Sequence, residues 1–183
     1  MDRAKSFEIE TARLRLRPFA PEDLEAIYRL WLDPGISEYL WDDERVSRER
    51  AEAVLAGSVE SFEGRSFGLW TAVRKKNREM IGFCGFRSVD DEIELLYGIS
   101  TPQWGTEFAT EAARAVIRYG FEEVGFDRIL GITDTENLAS RRVLEKIGMK
   151  FEKHVCREGR DETHYAIRRE EFRPDDAFYL RPA

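Results

Sequence analysis

The spacing of hydrophobic and polar positions changes several times along the chain, which predicts a mixture of strands and helices. Strands are predicted at residues 8–19, 66–75, 79–88, 92–100, 128–135, 150–157 and 162–169. Helices are predicted at residues 24–31, from an N-cap at Ser47 through Phe62, at 108–124 and at 137–149. The sequence Asp-Pro-Gly at 33–35 breaks the first helix. This order indicates an α/β protein without internal repeats.

One loop between a predicted strand and a predicted helix carries candidate chemistry. Residues 103–110 read QWGTEFAT and separate the strand ending at Ser100 from a helix whose apolar residues recur at helical spacing. The first-turn amides of such a helix have no partners within it and carry the positive end of its dipole. A phosphate can dock there. The same pattern also suits a junction that binds nothing.

The last predicted helix presents a second group of candidates. Asn137, Ser140 and Leu144 share one face, at i, i+3 and i+7 spacing. A neighbouring apolar stripe, expected to face the core, comprises Ala139, Val143 and Ile147. Gly148 is predicted to end this helix as a left-handed cap.

Two long segments carry a resemblance to a known family. TPQWGTEFATEAARAVIRYGFEE and RILGITDTENLASRRVLEKIGM resemble the acetyl-coenzyme A region of the GNAT superfamily of N-acetyltransferases. The opening IETARLRLRPFAPEDLEAIYRLW, the strand at 94–97 and the last helix are most similar to the Rim-type branch, which acetylates N-terminal amines of ribosomal proteins and includes amino-acid, antibiotic and unassigned acetyltransferases. The resemblance covers roughly residues 8–170.

The resemblance implies both a fold and a reaction. The fold is α/β (α+β), with a central mixed, mostly antiparallel sheet of six to seven strands flanked by about four helices, and residues 1–183 form a single GNAT acetyltransferase domain. The reaction is direct transfer of an acetyl group from acetyl-CoA, as cosubstrate, to a primary amine. That amine is expected to be a protein N-terminal α-amine or a small-molecule amine.

The resemblance also assigns roles to residues. Glu94 occupies the position often used as general base, directly or through water, although it also suits an ordinary polar place on a half-exposed strand. Ser140 protonates or hydrogen-bonds the coenzyme A thiolate, because the tyrosine that many members use four residues later is Leu144 here. The alternative for Ser140 is a hydrogen bond to a carbonyl one turn earlier. Gly98 would permit a bulge that frees the Ile99 amide to polarise the acetyl carbonyl. The cofactor-binding residues implied are Ile99, Trp104, Gly105, Thr106, Glu107, Phe108, Ala109, Thr110, Asn137 and Ser140.

Glu107 departs from the family pattern, which usually has glycine at this position of the loop. Its negative charge beside a pyrophosphate costs on the order of 1 to 4 kcal/mol before screening. Alternatively, the side chain points to solvent, as an acidic residue in a first helical turn favours. A second interpretation of the whole chain therefore stays open, namely a degenerate acetyl-CoA fold that acts as a non-catalytic binding module.

Composition narrows the partners. The 183 residues suffice for one domain with a sizeable core, and the net charge of −7 argues against a nucleic-acid surface and, weakly, for a cationic partner such as an amine. No apolar run approaches the roughly 20 residues of a membrane span, and the first residues lack a signal-peptide core. A cytoplasmic monomer or homodimer without membrane or nucleic-acid partners is expected.

Cysteines and histidines do not indicate a metal site. Cys84 and Cys156 are far apart in sequence, and they are predicted to be reduced core thiols rather than a disulfide. His154 and His164 lack metal-ligand spacing, so no metal is predicted.

Acceptor choice is assigned to the loop between the first two helices and to the closing hairpin. The loop contains Tyr39, Trp41, Asp42, Asp43 and Glu44. An aromatic wall with carboxylates would receive a peptide amine or a small cation, whereas an acidic loop of this kind is also typical of plain solvated surface.

Overall fold

The computed structural model describes residues 7–40, 45–157 and 159–174 of the 183-residue chain. Over these ranges the strands are β1 (Ile9–Glu10), β2 (Leu14–Pro18), β3 (Leu69–Arg74), β4 (Met80–Val89), β5 (Glu92–Ile99), β6 (Arg128–Asp134), β7 (Lys150–Arg157) and β8 (Arg160–Arg168). The α-helices are α1 (Leu24–Trp31), α2 (Pro34–Leu40), α3 (Arg48–Arg65), α4 (Phe108–Tyr119) and α5 (Leu138–Lys146).

All eight strands form one sheet in the order β1-β2-β3-β4-β5-β6-β8-β7. Neighbouring strands are antiparallel except β5 and β6, which are parallel. The mixed, mostly antiparallel sheet agrees with the prediction, although the described residues have one more strand and one more helix than expected. The segment 8–19 is two strands because the Thr11 amide donates to the Leu14 carbonyl at 2.9 Å and closes a turn. The extra helix, α2, begins at Pro34, where the fixed φ of proline suits a first helical turn.

The parallel pair β5 and β6 separates along its length. Within the described residues the two strands pair at one bridge, Glu94 with Leu130. Beyond that bridge, residues 95–99 of β5 and 132–134 of β6 both line a cavity of about 710 Å³. The sheet therefore opens in its middle, and side chains from both of its faces can meet there.

Each face of the sheet is covered by its own apolar cluster. One cluster joins α4 and α5 to the sheet through side chains such as Phe86, Val116 and Leu144. The other joins α1, α2 and α3 through side chains such as Ile27 and Phe83. Along β5, the side chains of Leu95 and Ile99 belong to the first cluster and that of Leu96 packs against the second, as the alternation of a strand requires.

Helix ends follow the predicted caps. Ser47 Oγ accepts a hydrogen bond from the Arg50 amide at 3.1 Å and begins α3. Gly148, at φ +89°, follows α5 in the left-handed region. No helix within the described ranges is both long and apolar enough to cross a bilayer.

Two predictions about buried residues were wrong. Ala139 is exposed, and Leu144 instead turns α5 onto the core, where it is 1% exposed and packs over Gly131. A Cβ on Gly131 would lie 2.6 Å from a Leu144 methyl carbon, so the helix approaches β6 closely only because that position is glycine. Cys84 is a buried thiol, but Cys156 is exposed on β7, the edge strand of the sheet.

Candidate active site

The loop before α4 has the backbone of an anion site. Gly105 and Glu107 both have positive φ, at +75° and +65°, which turns the chain sharply into the helix. The first hydrogen bond of α4 runs from the Glu111 amide to the Glu107 carbonyl at 3.0 Å. The amides of Phe108, Ala109 and Thr110 precede that bond. Helical geometry therefore leaves them without intrahelical partners, as a phosphate site needs.

Arg13, from β2's N-terminal side, holds this loop in place. Its guanidinium donates to the Thr106 carbonyl at 3.0 Å and lies 4.2 Å from the centre of the Phe108 ring. Its Nε also contacts the Glu111 carboxylate at 2.6 Å. One side chain thus fixes the loop, the start of α4 and the first turn of that helix, which keeps the amides pre-arranged for a ligand.

Glu107 directs its carboxylate to two neighbours on the rim of the cavity. It accepts from the Thr110 hydroxyl at 2.9 Å and pairs with the Lys146 ammonium at 2.5 Å. These hydrogen bonds, first from Lys146 and then from Thr110, lower the pKa of Glu107. The side chain is 55% exposed, so the charge is close to solvent and yet held by a cation of α5.

Trp104 and Ile99 meet at the mouth of the gap between β5 and β6. The Trp104 indole donates to the Ile99 carbonyl at 2.7 Å, and its ring lies against Gly35 at the start of α2. The Ser100 amide bonds to the Ile81 carbonyl in β4. Because amides alternate sides along an antiparallel strand, the Ile99 amide points away from β4 and towards the gap.

The expected bulge at Gly98 is absent from the described pairing of β4 with β5. Their register runs without a shift from Gly82 opposite Ile99 to Val89 opposite Glu92. Glycine is needed at position 98 for a different reason, because a Cβ there would lie 2.6 Å from the Phe83 ring. The orientation of the Ile99 amide follows from ordinary strand alternation instead.

Asn137 and Ser140 come together at the N-terminus of α5. Asn137 Oδ1 accepts from the Ser140 amide at 3.0 Å and caps the helix. The Ser140 hydroxyl lies 2.8 Å from the Tyr97 hydroxyl, which is also 3.1 Å from the Ser140 carbonyl. All three residues line the cavity. The serine hydroxyl is therefore engaged by β5 and available to the cavity, which differs from a bond back along its own helix.

Tyr97 was not singled out from the sequence. Burial raises the pKa of its phenol above the ordinary value, so the group keeps its proton across the neutral range. The available signal was its position in β5, because Leu95, Tyr97 and Ile99 alternate onto the same face of the strand. The alternation of a strand does not show which helix residue lies opposite Tyr97. The packing of α5 against β5 shows that this residue is Ser140.

Glu94 is a buried carboxylate on the other face of the same strand. It is 2% exposed and pairs with Arg87, directly opposite in β4, at 2.8 Å between Oε2 and Nε. Arg87 is 53% exposed and lines the cavity together with Glu94. The guanidinium balances the charge that burial would otherwise make costly. Its strand position alone suggested a half-exposed side chain, but the structure buries it.

The rest of the cavity is bounded by α2 on one side and by the β7–β8 hairpin on the other. Tyr39 lines it from α2, and Arg157 and Arg160 line it from the hairpin. Trp41, Asp42, Asp43 and Glu44, expected to form part of the same wall, lie outside the described residues. Across the described part of the chain, no group of three or more His, Cys, Asp or Glu side chains is arranged to hold a metal ion.

Comparisons with known proteins agree with this architecture. A family model for the acetyltransferase (GNAT) domain matches residues 13–150. The uncharacterized N-acetyltransferase p20 of Bacillus licheniformis is 30% identical over 149 residues, which cover 78% of this chain and 82% of that protein. A solved GNAT-family acetyltransferase from Bacillus anthracis is 25% identical with a TM-score of 0.75, over 90% of this chain and 99% of that one. The ribosomal L7/L12 α-N-protein acetyltransferase RimL, solved in complex with coenzyme A, has a TM-score of 0.75 at 17% identity, over 86% of this chain and 95% of its own.

Proposed function

The chain belongs to the GNAT family of acetyltransferases, and from that premise we propose that it moves the acetyl group of acetyl-coenzyme A directly to a primary amine. The observation that carries the proposal is the meeting of two features. The first feature is a loop whose amides have no intrahelical partners and which lies beside a gap in the sheet. The second is a candidate proton acceptor and a candidate proton donor, which face that gap from opposite sides of β5.

The cofactor is assigned to the side of the gap next to α4 and α5. The amides of the loop and of the first turn of α4 bind its pyrophosphate, because they combine free donors with the positive helix end. This cradle comprises Trp104, Gly105, Thr106, Glu107 and residues 108–110. The Asn137 side chain meets a pantetheine amide through its NH₂ group, which remains after Oδ1 has capped α5.

The chemistry is divided between the two faces of β5. Glu94, on the face covered by α1 to α3, accepts the proton that the amine nitrogen loses as it bonds to the acetyl carbon. The Ile99 amide donates to the carbonyl oxygen as that oxygen gains negative charge. Ser140, on the face covered by α4 and α5, donates its hydroxyl hydrogen bond to the sulfur as the carbon–sulfur bond breaks. The amine loses one proton and the coenzyme A thiolate gains one. The two are exchanged through solvent, so the reaction releases no net proton at this step.

We propose that the chain is of the Rim type and that its acceptor is a protein N-terminal α-amine, with a small-molecule amine as the second possibility. The relation to RimL in fold and the breadth of the cavity, about 710 Å³ between α2 and the hairpin, support a chain end as acceptor. A small amine would instead use only the part of the cavity near Glu94. We also propose that residues 1–183 act as one domain.

A calorimetric titration with acetyl-coenzyme A at moderate salt tests the cofactor. Micromolar binding is expected, followed by thiol release when peptides with free N-termini are added. The matched comparison uses the same peptides with acetylated N-termini, which must give no release. Faster release with polyamines or amino acids than with any peptide would move the acceptor to the small-molecule class.

Glu107 is the one observation that favours a non-catalytic binding module instead. A carboxylate at the rim of the phosphate loop opposes a pyrophosphate unless Lys146 neutralises it. Absence of acetyl-coenzyme A binding up to millimolar concentration would make this second function the better one and would rule out the transferase proposal.

A further inference from the structure

Helix α5 lacks the phenol that the family resemblance places one turn after Ser140. Leu144 occupies that position, is 1% exposed and packs over Gly131 in the core. A serine hydroxyl alone is a mobile rotor, and the direction of its proton is set by whichever partner its oxygen has. The sulfur of a leaving thiol needs that proton aimed into the cavity, so the partner of Ser140 matters.

A phenol does reach Ser140, but from the strand rather than from the helix. Tyr97 of β5 lies with its hydroxyl 2.8 Å from Ser140 Oγ and 3.1 Å from the Ser140 carbonyl. The Ser140 carbonyl can only accept the one proton of the phenol, whereas in the shorter contact to Oγ either oxygen can be the donor. When the phenol donates to Oγ, the serine keeps its own proton for a group in the cavity, which both residues line.

We propose that Tyr97 is a positioning residue, which holds the Ser140 hydroxyl with its proton directed at the coenzyme A sulfur, and this role rests on the proposed acetyl transfer. Tyr97 acts through Ser140 and makes no bond to the acetyl group. Its donation to Oγ also strengthens the serine as a donor, because hydrogen bonds in a chain polarise one another.

Another buried phenol of the same protein provides a structural contrast. The Tyr119 hydroxyl donates to the Ser66 carbonyl at 2.7 Å, and Tyr119 is 2% exposed in the core beside Trp70. Tyr119 is not among the residues that line the cavity. Replacing it by phenylalanine removes a buried hydroxyl of the same kind without touching the site, which makes Tyr119→Phe the matched control.

The experiment compares wild type, Tyr97→Phe, Ser140→Ala, the double variant and Tyr119→Phe. We measure steady-state acetyl transfer to the best acceptor peptide and calorimetric affinity for acetyl-coenzyme A. Ser140→Ala is expected to lower kcat about 100-fold, the lower end of what a positioned proton donor contributes. Tyr97→Phe is expected to lower kcat about 10-fold, with acetyl-coenzyme A affinity changed less than about twofold, and the double variant to match Ser140→Ala, since the two residues act as one unit.

Three outcomes would overturn the inference. Tyr97→Phe with the same kcat as Tyr119→Phe would show a structural phenol only. Multiplying losses in the double variant would show that Tyr97 does not act through Ser140. A wild type that binds acetyl-coenzyme A and transfers nothing to any amine would remove the proposed function and this role with it, which separates that failure from the first two.

A second measurement keeps the test independent of how well Tyr97→Phe folds. Incorporation of 3-fluorotyrosine at position 97 preserves the shape of the side chain and makes the phenol more acidic. Because burial raises the pKa of Tyr97, the fluorinated phenol is expected to stay protonated at neutral pH, to donate to Oγ more strongly and to keep at least the wild-type kcat. A kcat as low as that of Tyr97→Phe would contradict the requirement for the Tyr97 proton.

Discussion

At the scale of single residues, Glu107 shows how one side chain alters a binding loop. The loop needs a left-handed residue at this position, and φ of +65° is a conformation that glycine adopts without steric cost. A non-glycine residue in that region costs of order 1 kcal/mol or more. The glutamate offsets part of this cost through its contacts with Thr110 and Lys146, and the second contact engages a cation beside the proposed phosphate site.

Replacing Glu107 is therefore expected to improve cofactor binding. Glu107→Gly and Glu107→Gln both free Lys146 and remove a negative charge, and each should tighten acetyl-coenzyme A binding about 2- to 10-fold at low salt, consistent with a surface charge contact. Glu107→Gly should also be more stable than Glu107→Gln by about 1 kcal/mol, since only glycine relieves the backbone. Calorimetry and chemical denaturation measure the two effects. An unchanged affinity in both variants would mean that the carboxylate does not oppose the pyrophosphate.

The same residue predicts a pH dependence of stability. The folded state lowers the pKa of Glu107, so the charged carboxylate stabilises the fold at pH above the ordinary glutamate value of about 4.3. That contribution is lost as the pH falls through the lowered pKa. Wild type should melt slightly above Glu107→Gln at neutral pH, and the two melting temperatures should converge as the pH falls through the lowered pKa of Glu107. A difference that grows towards acid would contradict the ion pair with Lys146.

At the scale of elements, the start of α5 combines structure and binding in one side chain. Asn137 lines the cavity and caps the helix through Oδ1, a hydrogen bond that does not use its NH₂ group. Loss of such a cap costs roughly 1 kcal/mol, whereas loss of the amide donor affects only the ligand. The two roles can be separated because serine also caps helices but has no amide.

Asn137→Ala is expected to lower the free energy of unfolding by about 1 kcal/mol and to weaken acetyl-coenzyme A binding. Asn137→Ser should keep most of the stability and lose the same affinity. Ser47→Ala serves as the control, because it removes the matching cap of α3 without lining the cavity. If Asn137→Ser binds like wild type, the side-chain amide has no part in cofactor recognition.

At the scale of the whole molecule, one carboxylate joins the sides of the cavity that we propose for the acceptor and for the cofactor. Asp33, at the corner between α1 and α2, accepts from the Thr101 amide at 3.0 Å, from the Thr101 hydroxyl and from the Gly35 amide at 3.0 Å. Thr101 begins the turn that leads into the phosphate loop, and Trp104 packs on Gly35. Helix α2, which carries Tyr39, is thereby held against the loop that follows β5.

Removing this connection should affect both halves of the site. Asp33→Ala is expected to lower the free energy of unfolding by about 1 to 3 kcal/mol, because it strands hydrogen-bond donors. The KM for acetyl-coenzyme A and that for the acceptor should both rise several-fold. Glu25→Ala, which breaks only an exposed ion pair with Arg48, is the control and should change stability by less than about 1 kcal/mol. A rise in only one KM would show that the two halves are held independently.

The sequence by itself determined most of the elements and the local backbone of the loop before α4. Period-2 and period-3.6 patterns, the Ser47 cap, Gly148 and the strand, loop and helix around residues 103–110 depend on local backbone preferences, which near neighbours in the chain decide. The family resemblance predicted that the strands form one mixed, mostly antiparallel sheet. The GNAT assignment agrees with the family model and with the similar solved structure.

Only the tertiary structure decided which side chains from distant elements meet. Tyr97 with Ser140, Glu94 with Arg87, Glu107 with Lys146 and Asp33 with Thr101 each join two elements. Leu144 rather than Ala139 faces the core because α5 is oriented with the Leu144 side chain in the space above Gly131. A periodic pattern states which residues share a face, but the rotation of that face and its opposite neighbour are set by close packing of the whole core.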